Sequence, residues 1–138
     1  RAKGFDDFVL FRTYVPRETL QTSLNVGDLG LVTLQKGTEG LVVPSKIYGH
    51  LAVGKPIIAV THNPCEVTDI IREAQCGVTA ATGQELAAAV ENLMDNPDRL
   101  RDMGRRARQA LEHQYDRRQA TRRIGAFLQE IAYQNAKG

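Results

Sequence analysis

LGLVTLQKGTEGLVVPSKIYGHLAVGKPIIA, residues 29–59, is the stretch of sequence that decides the fold. A near-continuous apolar strand at 29–34 leads into a loop bounded by Gly37 and Gly40, and a short helix follows from Pro44 to about Val53. After a Gly-Lys-Pro turn, residues 57–60 form a second apolar strand. A strand, a helix and a second strand in this order predict a βαβ unit, which belongs to a parallel sheet.

The start of the central helix offers a place for an anion. Pro44 suits the first helical position, where its missing N–H is not needed. The N–H groups of Ser45, Lys46 and Ile47 then lack helical partners, and together with the helix dipole and the Lys46 ammonium they favour a phosphate. A well-made helix start with a solvated lysine explains the same residues, so both interpretations stay open.

Strands and helices alternate along the remainder of the chain. The predicted strands are 7–15, 29–34, 57–60 and 76–80, and the predicted helices are 16–26, 44–53, 66–75, 82–94, 97–113 and 116–134. This alternation predicts an α/β fold with a doubly wound parallel sheet, in which ligands bind at the carboxyl ends of the strands. The loops 12–15, 35–45 and 62–66 all leave such strand ends and therefore predict a single cleft.

Three of the helices carry further predictions. Thr82 and Glu85 have the spacing of a capping box at the start of helix 82–94. The helix 66–75 is predicted to bury Val67, Ile70, Ile71 and Ala74. The last helix is predicted to bury Ile124, Phe127, Leu128 and Ile131.

The composition is that of a globular domain. The chain has 138 residues, of which 42% are hydrophobic and 25% charged, and its net charge is +2. Cys65 and Cys76 lack a CxxC or Cys/His spacing, so we interpret them as reduced thiols of a cytoplasmic protein, with a structural disulfide as the alternative. No apolar run approaches the length of a membrane span, and because the first residue is Arg1 we expect a piece of a longer protein.

Residues 39–59 resemble the donor-binding segment of retaining glycosyltransferases of family 4, the group 1 type with two facing Rossmann-like domains (the GT-B fold). The resemblance is closest to the exopolysaccharide branch, which includes colanic-acid-type enzymes, and it covers about residues 8–125. Further matching motifs are Phe11 to Leu20, Gly27-Asp28-Leu29, Cys76-Gly77-Val78, Asp95-Asn96-Pro97 and Met103 to Arg108. The resemblance implies that residues 1–138 are a single partial domain, the C-terminal half of this fold truncated at its N-terminal side, with the helices of 97–138 packed on it.

The resemblance also implies a nucleotide-sugar site. The sequence contains no metal-ligand cluster and no DxD-like carboxylate pair, so we expect neither a metal nor a cofactor. The base of the nucleotide lies at the turn after the first strand. The donor sugar and diphosphate face the loop before the central helix and the start of that helix. Lys46 stabilises charge on the leaving diphosphate. The implied donor-binding residues are Arg12, Thr13, Tyr14, Glu39, Gly40, Leu41, Val42, Val43, Pro44, Ser45, Lys46 and Glu66.

This sequence departs from the family pattern at three positions. The family commonly has glycine where Thr13 stands, and the second glutamate of its paired-glutamate motif falls on Gly49. The first glutamate falls on Leu41, so Glu39 is a substitute two residues early. Each acidic residue has an alternative interpretation as a solvated charge, and for Glu66 the alternative is a carboxylate stabilised by a helix dipole.

The three histidines have simple structural interpretations. His50 lies inside the short helix, where a lone histidine is usually structural, and His113 lies near a helix C-terminus, where it suits the dipole. His62, in a loop that faces the cleft, is the better candidate for a general base.

The implied function is transfer of a sugar from a nucleoside-diphosphate sugar to a surface polysaccharide or lipid-linked acceptor. A UDP-sugar is favoured over a GDP-sugar as the donor. The resemblance implies a cytoplasmic enzyme, with peripheral contact at the inner face of the cytoplasmic membrane as an option. Its acceptor domain is missing from the chain, so we expect the isolated chain to be inactive. Two alternatives stay open, namely a nucleotide-sugar epimerase of the same fold and a non-catalytic interaction domain with a basic helical face.

An arginine-rich segment supports the last alternative. Residues 99–123 contain nine arginines and three acidic residues. Binding to nucleic acid or to an anionic membrane uses such a face. Because apolar residues recur between the arginines at helical spacing, we predict instead that these helices are packed, that the arginines are their solvated side, and that nucleic acid is not a partner.

Overall fold

The computed structural model describes Gly4, residues 8–135 and Lys137. In this part of the chain a small open parallel sheet has the strand order β1–β2–β3, and six α-helices surround it. The strands are β1 (Gly30–Thr33), β2 (Ile57–Val60) and β3 (Gly77–Ala80). The helices are α1 (Arg17–Asn25), α2 (Lys46–Ala52), α3 (Glu66–Ala74), α4 (Gly83–Met94), α5 (Pro97–Ala110) and α6 (Arg117–Asn135), and a π-helical segment (Leu111–Tyr115) joins the last two. The fold is mixed α/β and consistent with part of a Rossmann-like fold.

The central strand β2 is apolar on both faces because helices cover both. Ile57 and Ala59 belong to a buried cluster with side chains of α2 and α3, whereas Ile58 belongs to a second cluster with Leu93 of α4 and Met103 of α5. Side chains that alternate between two covered faces explain why this strand reads as a continuous apolar run. The predicted βαβ unit is confirmed, and the doubly wound topology stays a prediction.

The strands β2 and β3 approach each other closely at Gly77. A Cβ atom at Gly77 would lie 1.9 Å from the carbonyl oxygen of Ile57, which is directly opposite in the parallel register. Ile57 is fully buried and its N–H donates to the carbonyl oxygen of Cys76 at 3.0 Å, so neither strand has room to move. Position 77 therefore accommodates glycine alone, which accounts for the Cys-Gly-Val motif in physical terms.

Side-chain hydrogen bonds fix the starts of α3 and α4. At α3, the Thr68 hydroxyl accepts from the N–H of Cys65 at 2.9 Å and donates to its carbonyl oxygen at 2.7 Å. At α4, the Thr82 hydroxyl accepts from the N–H of Glu85 at 3.2 Å, as predicted. The Glu85 carboxylate accepts from the N–H of Ala81 at 2.8 Å, one residue before the position that a capping box uses.

The predicted first strand is wrong. Asp7 lies outside the described residues, and residues 8–15 form no strand. Their apolar side chains are mostly exposed, with Phe8 and Phe11 at 86% and 85%. An apolar run becomes a strand only where a neighbouring strand supplies backbone hydrogen bonds, and β1 pairs with β2 alone in the described sheet.

The predicted burial of the last helix is also wrong. The helix α6 forms as predicted, but its stripe of Ile124, Phe127, Leu128 and Ile131 is 39–62% exposed. Among the described helices and strands, only the π-helical segment makes more than marginal contact with α6. By contrast α5 is packed, and it buries Met103, Ala107 and Ala110. Single-domain organisation for residues 1–138 stays a prediction.

The predicted burial in α3 is confirmed, and the cysteines are free. Val67, Ile70 and Ile71 are buried, and Ala74 is partly buried against them. Cys65 and Cys76 are buried free thiols, and burial raises the pKa of Cys76 to about 11. Among the described helices, none is both long enough and apolar enough to cross a membrane.

Candidate functional site

The loops that follow β1 and β2 lie at the same edge of the sheet. Because the strands are parallel, Thr33, Val60 and Ala80 all end at this edge, where open α/β sheets bind their ligands. Two of the three loops predicted to form a cleft, 35–45 and 62–66, therefore leave strand ends as expected. The third, 12–15, does not, because no strand precedes it.

The carboxylate of Glu39 joins these two loops. Its Oε2 atom accepts from the N–H of Gly37 at 2.6 Å, and its Oε1 atom accepts from the N–H of His62 at 3.3 Å. Gly37 has a φ of +87°, a left-handed conformation that turns its N–H toward the carboxylate. Glu39 therefore holds loop 35–45 against the loop after β2.

Hydrogen bonding stabilises the ionised form of Glu39. The pKa of this carboxyl is lowered first by its own backbone N–H, and then by the N–H groups of Gly37 and His62 and the Asn63 side chain, while loss of hydration opposes them. The sequence predicts that Glu39 contacts the donor. In the structure each of its two oxygens accepts one backbone N–H, from Gly37 and from His62, and a contact between Glu39 and the donor stays a prediction.

The helix α2 begins two residues later than predicted. Pro44 does not take the first helical position, because the N–H groups of Ile47 and Tyr48 donate to the carbonyl oxygens of Pro44 and Ser45, each at 3.2 Å. These bonds span three residues and form a tight 3₁₀-type turn ahead of the α-helix. The N–H of Ile47 is therefore not available to a ligand, contrary to the prediction.

Two donors and a cation remain at this helix start. Among the described residues, the N–H groups of Ser45 and Lys46 have no hydrogen-bond partner, and the Lys46 side chain is exposed. The residues just before them present backbone and apolar surface to solvent. Leu41, Val42 and Val43 are exposed, and Pro44 is half-buried. Gly40 has a left-handed φ of +79° at the turn of the same loop.

Arg12, Thr13 and Tyr14 are exposed and lie outside any helix or strand. They follow no strand, so the turn that the sequence assigns to the base is not formed here. Glu39 brings loop 35–45 together with the loop after β2, and the assignment of residues 12–14 to the nucleotide base stays a prediction.

Glu66 lies in the first turn of α3, as predicted, and an aromatic pair lies near it. Tyr48 of α2 and Tyr115 of the π-helical segment have ring centroids 5.8 Å apart. Burial raises the pKa of Tyr48, and the charge of Glu66 adds to this effect, which places the carboxylate near the phenol. The sequence analysis missed Tyr48, because it meets Tyr115 only where α2 packs against the π-helical segment.

His50 has a structural position. Its ring packs against Gly30 of β1, where a Cβ atom would lie 2.4 Å from the ring. Burial and then the charge of Lys46 lower the pKa of His50, and its buried Nδ1 atom has no hydrogen-bond partner. Gly49 packs toward Leu24 of α1, and a Cβ there would approach it to 3.3 Å.

The other two histidines are exposed. The N–H of His62 is held by Glu39, so the loop that carries this predicted base lies at the sheet edge. His113 lies in the π-helical segment. No group of three or more potential metal ligands occurs within the described residues, and metal independence stays a prediction.

A groove of about 820 Å³ follows the free edge of β3 between α3 and α5. None of the predicted donor-binding residues lines it. Four of its charged side chains form ion pairs, Arg72 with Asp69 at 2.7 Å and Arg106 with Asp102 at 2.8 Å. Arg99 donates to Asn92, and Glu85 accepts from the N–H of Ala81. Because the N–H groups of Ser45 and Lys46 have no partner among the described residues, the Glu39 junction is the candidate donor site, and it shares the loop after β2 with the groove.

Comparison with known proteins gives one partial relationship. Over 62 residues the chain is 42% identical to the probable glycosyltransferase WbjE of Pseudomonas aeruginosa, and this segment is 45% of the chain and 16% of that protein. No protein-family model matches the chain. No solved structure matches it. The partial similarity supports a relationship to glycosyltransferases without identifying the branch.

Proposed function

We propose that this chain is the donor-binding part of a glycosyltransferase and that it binds a nucleoside-diphosphate sugar where loop 35–45, the start of α2 and the loop after β2 meet. The partial similarity to a probable glycosyltransferase supports the transferase class. The resemblance of residues 39–59 to a family 4 donor segment supports the GT-B architecture and the retaining reaction.

The observation that carries the proposal is the junction made by Glu39. It joins loops that are 23 residues apart in sequence at the edge where α/β sheets bind ligands. A preformed junction lowers the ordering entropy that a ligand would otherwise have to overcome.

Charge and hydrogen-bond donors at the junction fit a diphosphate. The exposed Lys46 ammonium and the N–H groups of Ser45 and Lys46 lie at one helix start. When the bond between the sugar and the diphosphate breaks, negative charge develops on the leaving diphosphate. A fixed cation and fixed N–H donors stabilise that charge without reorganising.

The acidic residues take different roles in this proposal. Glu39 keeps the two loops together, and Glu66, in the first turn of α3, is left to face the hydroxyls of the donor sugar. The base of the nucleotide is assigned to residues 12–14 from the resemblance alone. The preference for UDP over GDP also comes from the resemblance. The acceptor is a surface polysaccharide or a lipid-linked intermediate at the inner face of the cytoplasmic membrane.

The experiment that tests this function measures UDP affinity by calorimetry for the wild type, Lys46→Ala and Lys55→Ala. Lys55 lies beyond the other end of α2 and is a matched control for charge. A charge-assisted hydrogen bond contributes about 1.5–3 kcal/mol, so Lys46→Ala should weaken binding about 10- to 150-fold. Lys55→Ala should bind UDP like the wild type.

Two results would contradict the proposal. The first is equal UDP affinity in Lys46→Ala and the wild type. The second is acceptor-free isomerisation of a nucleotide sugar by a longer protein that contains this chain, since this activity would indicate an epimerase. We expect the 138-residue chain alone to transfer no sugar.

A further inference from the structure

His50 is a titratable side chain that the proposed function leaves without a role. Its ring packs on Gly30 of β1 so closely that a Cβ atom at position 30 would lie 2.4 Å from the Cγ and Nδ1 atoms of the ring. The Nδ1 atom is buried, and it has no hydrogen-bond partner among the described residues. Since a shielded nitrogen without a partner is costly to charge, this packing favours the neutral ring.

Lys46 is the cation that acts on this ring. The two residues are four positions apart on α2, which places their Cβ atoms about 5–6 Å apart on one side of the helix. The Lys46 side chain is exposed, whereas His50 is half-buried. Burial and then the Lys46 charge lower the pKa of His50. The protonation of the ring is therefore coupled to any group that neutralises Lys46.

The other charged groups around α2 leave Lys46 as the main electrostatic influence on the ring. The strand β1 carries no titratable side chain. Arg108 of α5 donates to the carbonyl oxygen of Ala52, and it forms an ion pair with Glu112 of the π-helical segment at 2.7 Å. Within the described part of the chain, Lys46 is the one charged group that shifts the pKa of His50. The titratable groups on the segments that flank α2 or pack against it include Asp28, Lys55, Glu66, Arg108, Glu112 and Tyr115.

We propose that His50 acts on the donor site through Lys46, so that the ring takes up a proton when an anion binds to Lys46, and the protonated ring in turn strengthens that binding. This inference rests on the proposed function, which places a diphosphate at Lys46. The bound diphosphate outweighs the charge of the ammonium, and a proton on the ring is then attracted where it was repelled. Because binding and protonation are reciprocal, the affinity for UDP should rise as the pH falls and His50 titrates.

The size of the effect follows from the separation along the helix. Two unit charges about 6 Å apart, at an effective dielectric constant between about 40 and 80, change an equilibrium constant about 3- to 10-fold. His50 does not have to touch the ligand, because its charge acts on the anion that Lys46 holds. Added salt should reduce the effect, since Lys46 is exposed to solvent.

Calorimetry of UDP binding to a matched variant tests the inference at about pH 7.5 and about pH 5.5. His50→Phe keeps an aromatic ring on Gly30 but takes up no proton. The terminal phosphate of UDP and the His62 side chain titrate in the same range, but both are common to the two proteins. The ratio of wild-type affinity to His50→Phe affinity therefore isolates His50, and it should rise about 3- to 10-fold at the lower pH. The same ratio for His113→Phe, which replaces an exposed histidine, should stay constant.

A direct measurement follows the ring protons of His50 by NMR as the pH is changed. Saturating UDP should raise the pKa of His50. Without UDP, Lys46→Gln should also raise it, because the repelling charge is gone. Lys55→Gln removes the same charge beyond the other end of α2 and should leave the pKa of His50 unchanged. The signal is assigned by its loss in His50→Phe.

The outcomes separate this inference from the proposed function. If Lys46→Ala abolishes UDP binding but the affinity ratio of wild type to His50→Phe is independent of pH, the inference is overturned and the proposed function stands. Absence of UDP binding at both pH values contradicts both. A pKa of His50 that is the same in Lys46→Gln and the wild type overturns the coupling whatever UDP does. Far-UV circular dichroism at each pH checks that every variant keeps its helix content.

Discussion

Replacing Gly77 by alanine tests the packing that holds β3 against the sheet. The added Cβ would lie 1.9 Å from the carbonyl oxygen of Ile57 and 2.8 Å from its carbonyl carbon, whereas Cβ atoms essentially never approach closer than 3.0 Å. The strands must therefore separate by about 1 Å, which stretches the N–H···O bond from Ile57 to Cys76 from 3.0 Å to about 4 Å, beyond hydrogen-bond range.

The expected loss follows from these two effects. Overpacking a core site costs typically about 1–3 kcal/mol, and a broken backbone hydrogen bond contributes about 1 kcal/mol. Gly77→Ala should therefore lower the free energy of unfolding by about 2–4 kcal/mol, a large fraction of the roughly 5–15 kcal/mol of a typical domain.

The measurement is urea denaturation followed by circular dichroism. Gly83→Ala is the matched control, because a Cβ at the first residue of α4 meets no atom within 4 Å. The control should change the free energy of unfolding by less than about 0.5 kcal/mol. If Gly77→Ala is as stable as Gly83→Ala, the close approach of β2 and β3 is refuted.

Three further predictions concern titratable groups. Because hydrogen bonds lower the pKa of Glu39, the amide proton shifts of Gly37 and His62 should titrate together with a midpoint below 4.5. The variant Glu39→Gln should abolish both transitions. Separate midpoints for the two amides would contradict the junction. Since the pKa of His50 is lowered from 6.5 on folding, the unfolded chain binds its proton first, so stability should rise with pH up to about 6.5 and then level off. His50→Phe, which loses no hydrogen bond at Nδ1, should flatten this slope, and an unchanged slope would refute the assignment. The Cys76 thiol, with its pKa raised to about 11, should react with a thiol reagent at neutral pH only after unfolding, and fast labelling of the native chain at this residue would contradict its burial.

Local patterns were sufficient to predict most of the fold. The apolar run 57–60 predicts β2 because both of its faces are covered, and the spacing of Thr82 and Glu85 predicts the start of α4 because a cap involves neighbouring residues only. The segment 8–15 has similar apolar content, yet it forms no strand. A strand also needs a partner, and sequence pattern does not contain that information.

The candidate site was less predictable because its contacts are distant in sequence. The distance from Glu39 to His62 is 23 residues, so a local pattern does not reveal that the carboxylate joins two loops. Tyr48 and Tyr115 meet only after α2 packs against the π-helical segment. The predicted start of α2 was wrong for a local reason. Proline tolerates the 3₁₀-type turn before a helix as well as the first helical position.

The apolar stripe of α6 illustrates a limit of periodicity. The spacing of its four apolar residues predicts one face of a helix, and the helix is present. Spacing does not specify whether that face contacts the same chain, a partner or a lipid. The exposed stripe was therefore visible only in the structure.

The most direct test of the proposed function is an amide chemical-shift titration of the 138-residue chain with UDP, repeated with GDP and with Lys46→Ala. Binding at the Glu39 junction predicts saturable shifts clustered at residues 37–47 and 61–66, larger for UDP than for GDP and lost in Lys46→Ala. Shifts confined to groove residues outside the junction, such as Gln75, Arg99 and Met103, would contradict a donor site at this junction, as would shifts that persist unchanged in Lys46→Ala.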